Sequence, residues 1–469
     1  MSVTVNAAIA ALACPAVAMA AGFNFPDLGA RQLGRGGTGV AAGGEVGALY
    51  YNPAALIGVE PWTLQVDAMA SLTHVDFQRT NAQGVADGYG PVSNSGGVFP
   101  NTLTGLAWST NDAPIPLAFA LGVFGPSSTG NLTYPDPRAV AIPPSGSACD
   151  HGCAVDKFAP QRYGLISENL VVLYPTLAAA ARVAPWLDLG LAFSLRVQSI
   201  QNTLAIYGGP APGYGADFDA TGVLKASELG FRVTGGVLVH PMDGLSFGVS
   251  GHLKEASNGA GTLDLALPPI AAAGHETIQG NAISLQFTYD PEVRAGVRYA
   301  TGDVSVELDG VWEGWSSLDQ QHIVTHDMYL VTPQGKTAIQ PSVVTKGWTD
   351  AFSARAGLEW RPGQGAFIGR VGGLYETSAI PTATLGVDAP NYQRAGDSIG
   401  AEYVFGSGLS LIAAYERLQS PTAQIRDSRV QQSTSDAAVK PDIVGNGNLA
   451  AAIDYFSLGF GYAFGARAR

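Results

Sequence analysis

Large apolar residues alternate with small or polar ones through much of the chain. Near the end, Phe456, Leu458, Phe460, Tyr462 and Phe464 share one face, and Tyr455, Ser457, Gly459, Gly461 and Ala463 share the other. Between 187 and 197 the apolar face is Leu187, Leu189, Leu191, Phe193, Leu195 and Val197, opposed by Asp188, Gly190, Ala192, Ser194 and Arg196. The same split sets Phe352, Ala354, Ala356, Leu358 and Trp360 against Ser353, Arg355, Gly357 and Glu359. It also sets Val304, Val306, Leu308 and Trp312 against Ser305, Glu307 and Asp309. A period of two marks a strand with two unlike faces. About fourteen such runs are predicted, at 62–80, 101–110, 116–126, 163–183, 186–201, 223–240, 245–260, 284–300, 304–319, 348–361, 366–378, 392–405, 409–420 and 448–465. Many exceed the usual strand of about 5 to 6 residues. They suit the roughly 9 to 11 residues of a tilted membrane strand.

The connections alternate in length. Short ones read NDAPI, APW, HPMDG, TGD, RPGQG and GSG, rich in the residues of tight turns. Long ones cover about 81–100, 127–162, 202–222, 261–283, 320–347, 379–391 and 421–447. Outer-membrane barrels sort their loops this way, with short turns at one end and long loops at the other. A soluble sandwich has no reason to do so. The expected fold is all-β: a transmembrane antiparallel barrel.

Composition agrees. Of 469 residues 60 are Gly, and only 13% are charged; about 25% is usual. Mean hydropathy is +0.14. Yet no mature stretch offers the roughly 20 apolar residues of a membrane helix. The longest candidate is broken by Pro175, Arg182, Pro185 and Asp188. The net charge of −13 argues against nucleic acid as a partner.

Residues 1–20 read as a signal peptide, with an apolar region from Val5 to Val17 and Ala18-Met19-Ala20 as cleavage signal. Cys14 after Ala11-Leu12-Ala13 faintly resembles a lipoprotein box, but the later site is better. Cleavage leaves Cys149 and Cys153, in CDHGC. A disulfide between them suits an oxidising compartment. With His151 they form an alternative metal set, but no fourth ligand is evident nearby. No cofactor is expected. Seven His and scattered Ser show no nucleophile–base pattern, so no enzyme activity is expected.

Residues 21–61 precede the first strand and carry Gly34-x-Gly36-x-x-Gly39. With no preceding strand and no clear helix after it, this is not a dinucleotide turn. The stretch AGFNFPDLGARQLGRGGTGVA, followed by ALYYNPAAL with Asn52-Pro53-Ala54, resembles the outer-membrane long-chain fatty acid and hydrocarbon transporters of the FadL/TodX type. Later segments agree in type and order, including YPTLAAAARVAPWLDLGLAFSLR, DPEVRAGVRYATGDVSVELDGVWEGWSS and GRVGGLYETSAIPTATLGVDAP. The resemblance covers essentially the whole mature chain. It implies a fourteen-stranded barrel over 62–465, with 21–61 folded inward as a hatch. Residues 466–469 form an extension that displaces the usual terminal Phe, recognised by barrel-assembly machinery, to Phe464.

It further implies passive uptake. An apolar solute is captured at the outer loops, passes to an inner pocket near Phe23, and leaves sideways through a wall gap at the third strand as the hatch shifts. That run contains Gly122, Gly125 and Pro126, which either bound the gap or begin an outer loop. Alternation places Arg196, Arg294, Arg298, Arg355 and Arg370 on the lumenal face, with Glu307, Asp309, Glu359 and Glu402. These solvate the lumen and pair with one another, or one or two of the arginines hold a fatty-acid carboxylate. The expected protein is a monomer in the outer membrane of a Gram-negative-type bacterium, surrounded by its lipids. Fatty acids come first as solute, and aromatic or alkane hydrocarbons second. A general porin is the further alternative, although a hatch would block free flow. A siderophore-type transporter, with about 22 strands and a plug, needs a longer chain.

Overall fold

The computed structural model describes residues 27–86, 89–110, 113–125, 131–134, 159–207, 218–268, 271, 273–432 and 442–464. The signal peptide, Phe23, Pro126, Cys149, His151, Cys153 and the extension after Phe464 lie outside these residues.

Fourteen antiparallel strands close a barrel. Six come first: β1 (Thr63–Arg79), β2 (Val98–Ser109), β3 (Leu117–Phe124), β4 (Ser167–Ala184), β5 (Leu187–Tyr207) and β6 (Asp219–Met242). The next four each have two pieces: β7 (Leu245–His252 and Glu255–Ala266), β8 (Ala282–Tyr289 and Glu292–Thr301), β9 (Val304–Glu313 and Gln320–His326) and β10 (Ser342–Thr345 and Ala351–Trp360). The last four are β11 (Phe367–Glu376), β12 (Arg394–Val404), β13 (Leu409–Gln419) and β14 (Gly447–Ala463). β14 returns to β1 in continuous register from Thr63↔Ala463 to Arg79↔Gly447, so the sheet has no free edge.

The wall is turned inside out relative to a soluble protein. Leu191, Phe193, Phe352 and Leu458 are exposed, whereas Asp188, Arg196, Arg355 and Ser457 are buried. Outward apolar side chains face hydrocarbon, and inward polar ones find partners in the lumen. Trp62, Trp186, Trp360, Phe367 and Phe464 are exposed at the short-turn end. That is the girdle position where aromatic rings meet head groups. The short turns use Gly244, Gly302, Gly363 and Gly408 at positive φ.

Each of the fourteen runs corresponds to one strand, but several strands extend further than alternation suggests. β5 reaches Tyr207, β7 reaches Ala266, and β9 resumes at Gln320–His326 after a 3-10 turn at Trp315–Ser317. These extensions lie toward the long-loop end, where no lipid imposes an apolar outer face, so the period-two signal fades there.

Residues 27–59 lie inside the cylinder. Two short helices, α1 (Ala30–Leu33) and α2 (Ala48–Tyr51), and a 3-10 turn at Pro53–Leu56 are almost wholly buried. The segment touches opposite walls: Ala30 N–H donates to Asp67 on β1, and Ala41 N–H donates to Glu307 on β9.

Candidate functional site

The lumenal segment is held by charge-assisted bonds from its backbone. Asp309 Oδ2 accepts from the N–H of Gly39 at 2.9 Å and of Val40 at 3.2 Å, and Glu307 Oε1 accepts from Ala41 N–H at 2.7 Å. A carboxylate on an amide is roughly twice as strong as a neutral pair. Side-chain pairs add to this. Arg31 meets Glu402 at 2.6 Å, Arg35 meets Glu45 at 2.7 Å, and Arg355 pairs with Asp27. Little of this segment is regular, so its orphan amides need such acceptors.

Asn52-Pro53-Ala54 has a clear local logic. Asn52 caps the 3-10 turn, its Oδ1 accepting from Ala54 N–H at 3.1 Å, with Pro53 at the first position. Its Nδ2 donates to the carbonyls of Val40 at 2.8 Å and Val237 at 3.1 Å. One side chain thus ties the segment to itself and to β6. The wall beneath is glycine: a Cβ at Gly190 would strike the Ala54 backbone, and one at Gly236 would strike Asn52. Close approach is therefore shared between segment and wall, and the wall's share was not apparent from sequence. Gly36, at φ 70°, stands against the backbone of Gly373 and donates to Ser398 Oγ at 2.8 Å. This glycine run serves packing within the lumen.

All five arginines singled out from sequence point into the lumen, and each is paired. Arg196 bonds Glu255 and lies 3.3 Å from Glu228. Arg294 pairs with Glu292 at 2.6 Å and donates to the Tyr50 hydroxyl at 2.8 Å. Arg298 lies 3.7 Å from both Glu307 and Glu359. Arg355 takes Asp27, and Arg370 takes Glu359 at 2.8 Å and Glu402 at 2.7 Å. Arg298 and Arg370 share Glu359, Arg294 and Arg355 bond the segment at Tyr50 and Asp27, and Arg196 pairs with acids of the wall.

At the third strand, Gly122 sits in a ladder unbroken on both sides, opposite Gly105 on β2 and Thr176 on β4. A Cβ there would strike Leu49 of α2, so this glycine makes room for the lumenal segment. Gly125 follows the end of β3.

Toward the long-loop end the lumen changes character. Val75, Phe77, Leu132, Leu170, Ile200 and Leu204 are among the inward, buried residues of one large apolar cluster. A small apolar cleft of about 10 Å³ is lined by Ile206, Leu263, Leu265, Ile323 and Ile339. Beside this cluster lies Lys346, in the interruption of β10 and 4% exposed. Its ammonium stands 5.5 Å from the Trp348 ring, which packs on Trp315. It has no ion-pair partner among the described residues. Burial lowers its pKa to about 8, opposed by the nearby charges of Asp388 and Glu168. Sequence reasoning missed this residue, because nothing near Lys346 alternates. The available signal was a lone lysine at the foot of a long loop.

No family model matches the chain, and no curated protein matches it by sequence. Solved structures do match. The structure of a Pseudomonas aeruginosa FadL homologue aligns at TM-score 0.70 and 16% identity, covering 95% of this chain and 100% of that one. The Ralstonia pickettii toluene transporter TbuX gives TM-score 0.61 at 14% identity, covering 94% of this chain and 99% of that one. The Pseudomonas putida toluene transporter TodX gives 0.63 at 13% identity, with the same coverage. Across nearly its whole length the chain therefore has the fold of these FadL- and TodX-type barrels.

Proposed function

We propose that this protein is an outer-membrane channel for passive uptake of long apolar molecules, long-chain fatty acids foremost. The observation that carries the reading is a buried apolar cluster at the long-loop end of the lumen, beside Lys346, which has no ion-pair partner among the described residues, above a lumen filled by residues 27–59. Parted by a guest, this cluster would strip water from an acyl chain, at roughly 0.8 kcal/mol per buried CH2. Lys346 gives the carboxylate a cation that forms no ion pair among the described residues. The five lumenal arginines are each engaged by acids, and Arg294 and Arg355 bond the lumenal segment directly, which supports a role in seating it; a direct role for Arg196 or Arg298 toward solute is secondary.

The segment acts as a hatch. It bars water and sugars, which disfavours a general porin, and its shift opens the way below the cluster. The same TodX-like fold favours an aromatic or alkane hydrocarbon as second solute, for which Lys346 would be idle. Neither route requires catalysis. The protein sits in the outer membrane as a monomer, exported by its leader and inserted by barrel-assembly machinery.

Binding of oleate, an alkane and toluene to detergent-purified protein tests this. Oleate should bind, and Lys346→Met should weaken it about tenfold to a hundredfold, matching the roughly 1.5–3 kcal/mol of a hydrogen bond to a charged group. Toluene affinity should not change. If none of the three binds, the transport reading fails.

A further inference from the structure

The lipid side of the wall carries a hollow over β11, β12 and β13. Outward Gly369 stands beside Ala401, and Ala401 beside Ala413, as direct cross-strand partners. Trp360 closes this row at one end and Leu458 at the other. The neighbouring row toward the short turns holds Phe367, Tyr403, Leu411 and Phe460. The neighbouring row toward the long loops holds Val371, Ile399, Tyr415 and Phe456. Three small residues thus lie inside a frame of large ones. The hollow has a volume of about 980 Å³ and extends over Ala68 and Ala70 of β1. On β5 and β6 the same belt is filled by Leu191, Phe193, Leu195, Leu229 and Phe231.

One row further toward the long loops, the outer face turns charged. Asp397, Arg417 and Asp454 are successive cross-strand partners there. Asp454 accepts from Arg417 Nη1 at 2.8 and 2.9 Å and from the Tyr415 hydroxyl at 2.6 Å, and lies 2.9 Å from His74 Nε2. Arg417 makes these bonds through Nη1 alone, and its side chain is 42% exposed. Asp397 is exposed and has no ion-pair partner among the described residues. The height of this row follows from β14. From Phe464 in the aromatic girdle to Asp454 the chain climbs about 33 Å at about 3.3 Å per residue. With a strand tilt near 40° that is roughly 25 Å of height, the thickness of the apolar band. The charged row therefore meets the head groups at the long-loop side. Another trio of small outward residues, Ala295, Gly310 and Ala354, has only Val293, Trp312 and Phe352 in the row above it.

We propose that this sector of the wall holds one phosphorylated lipid of the outer leaflet together with its divalent cation. An acyl chain of that lipid fills the hollow over Gly369, Ala401 and Ala413. Its phosphate lies on Nε and Nη2 of Arg417, whose planar fork matches phosphate geometry. The divalent cation bound to the phosphate is shared with Asp397. The row alternates in sign, so a purely anionic head group would be repelled by its two carboxylates, and a phosphate that brings a cation is not. Ala413 and Arg417 are about 13 Å apart along β13 at about 3.3 Å per residue, so one molecule spans hollow and charged row. None of these side chains faces the lumen, and the site is independent of the solute that the lumen carries.

The test is native mass spectrometry of the detergent-purified full chain with lipid A and Mg2+ added. One lipid A should be retained per chain. Arg417→Gln should weaken retention at least tenfold. The double variant Ala401→Leu, Ala413→Leu, which fills the hollow, should do the same. The double variant Ala295→Leu, Ala354→Leu, at the trio without a charged row, should leave retention unchanged. Chelating Mg2+ should weaken retention by the wild-type chain about tenfold, and Asp397→Asn should remove that dependence on Mg2+. Heat-modifiable migration in gels, kept by every variant, shows that each barrel is folded. Equal retention of a diacylglycerol, which lacks phosphate, overturns the proposal. So does lipid A retention that Arg417→Gln and the filled hollow leave intact, or that is indifferent to Mg2+ in the wild-type chain. A lipid-free mass of two chains also overturns it, since a second copy then covers the hollow.

Discussion

Along β5 the inward positions include Asp188, Ser194, Arg196 and Gln198 from the short-turn end, and then Ile200 and Leu204 on either side of Asn202, which bonds Glu168. β8 shows the same change in the opposite chain direction: Ile283, Leu285 and Phe287 lie at the loop end, Glu292 and Arg294 at the turn end. β1 passes from Gln65 and Asp67 to Val75 and Phe77. One half of the lumen is thus a charged socket and the other a mainly apolar cluster. In the socket each of the five arginines meets an acid, and a polypeptide is held in a defined register. In the apolar half Lys346 has no ion-pair partner among the described residues. The difference separates closure from capture. Ion pairs and amide–carboxylate bonds give geometry, whereas hydrophobic burial is non-directional and suits a variable guest.

The largest way to break the contrast is Arg355→Met. It leaves Asp27 buried without its cation, a loss of about 3–5 kcal/mol for a broken buried pair. Hydrogen exchange across residues 27–41 should accelerate strongly, and liposomes should leak a monosaccharide, while the barrel stays folded. Unchanged exchange would show that packing, and not the ionic socket, holds the segment.

The apolar half should respond to pH instead. Lys346, with its pKa lowered to about 8 by burial, is cationic below that value and neutral above it. Oleate affinity should therefore fall as pH rises from about 7 to 9, and toluene affinity should stay level. A flat oleate profile would remove Lys346 from carboxylate recognition. The smallest effect is expected from Ser398→Ala, which deletes the 2.8 Å bond from Gly36 N–H. At about 0.5–1.5 kcal/mol it should speed exchange locally at Gly36 without leakage or a change in oleate binding. Leakage from this variant would mean that the socket is much closer to opening than its ion pairs suggest.

The strands were legible because a bilayer enforces alternation. Leu187 to Val197 cannot face lipid on one side and a socket on the other without a period of two. The inward direction of Arg196, Arg294, Arg298, Arg355 and Arg370 followed from the same rule. Their partners did not, since Asp27 and Arg355 are 328 residues apart. Asn52 stood out as part of a motif, but Gly190 and Gly236, which make room for it, are ordinary strand glycines until a backbone is laid across them. Lys346 carries no pattern at all; only burial makes it chemical.

The sequence alone thus determined the barrel, its strand number and which face of each strand meets lipid, because those depend on local periodicity in a fixed solvent. Only the tertiary structure decided which acid holds which arginine, where the ladder parts between β6 and β7, and that Lys346 forms no ion pair among the described residues. Those outcomes arise from contacts between residues far apart in the chain, and register at such distances leaves no local trace.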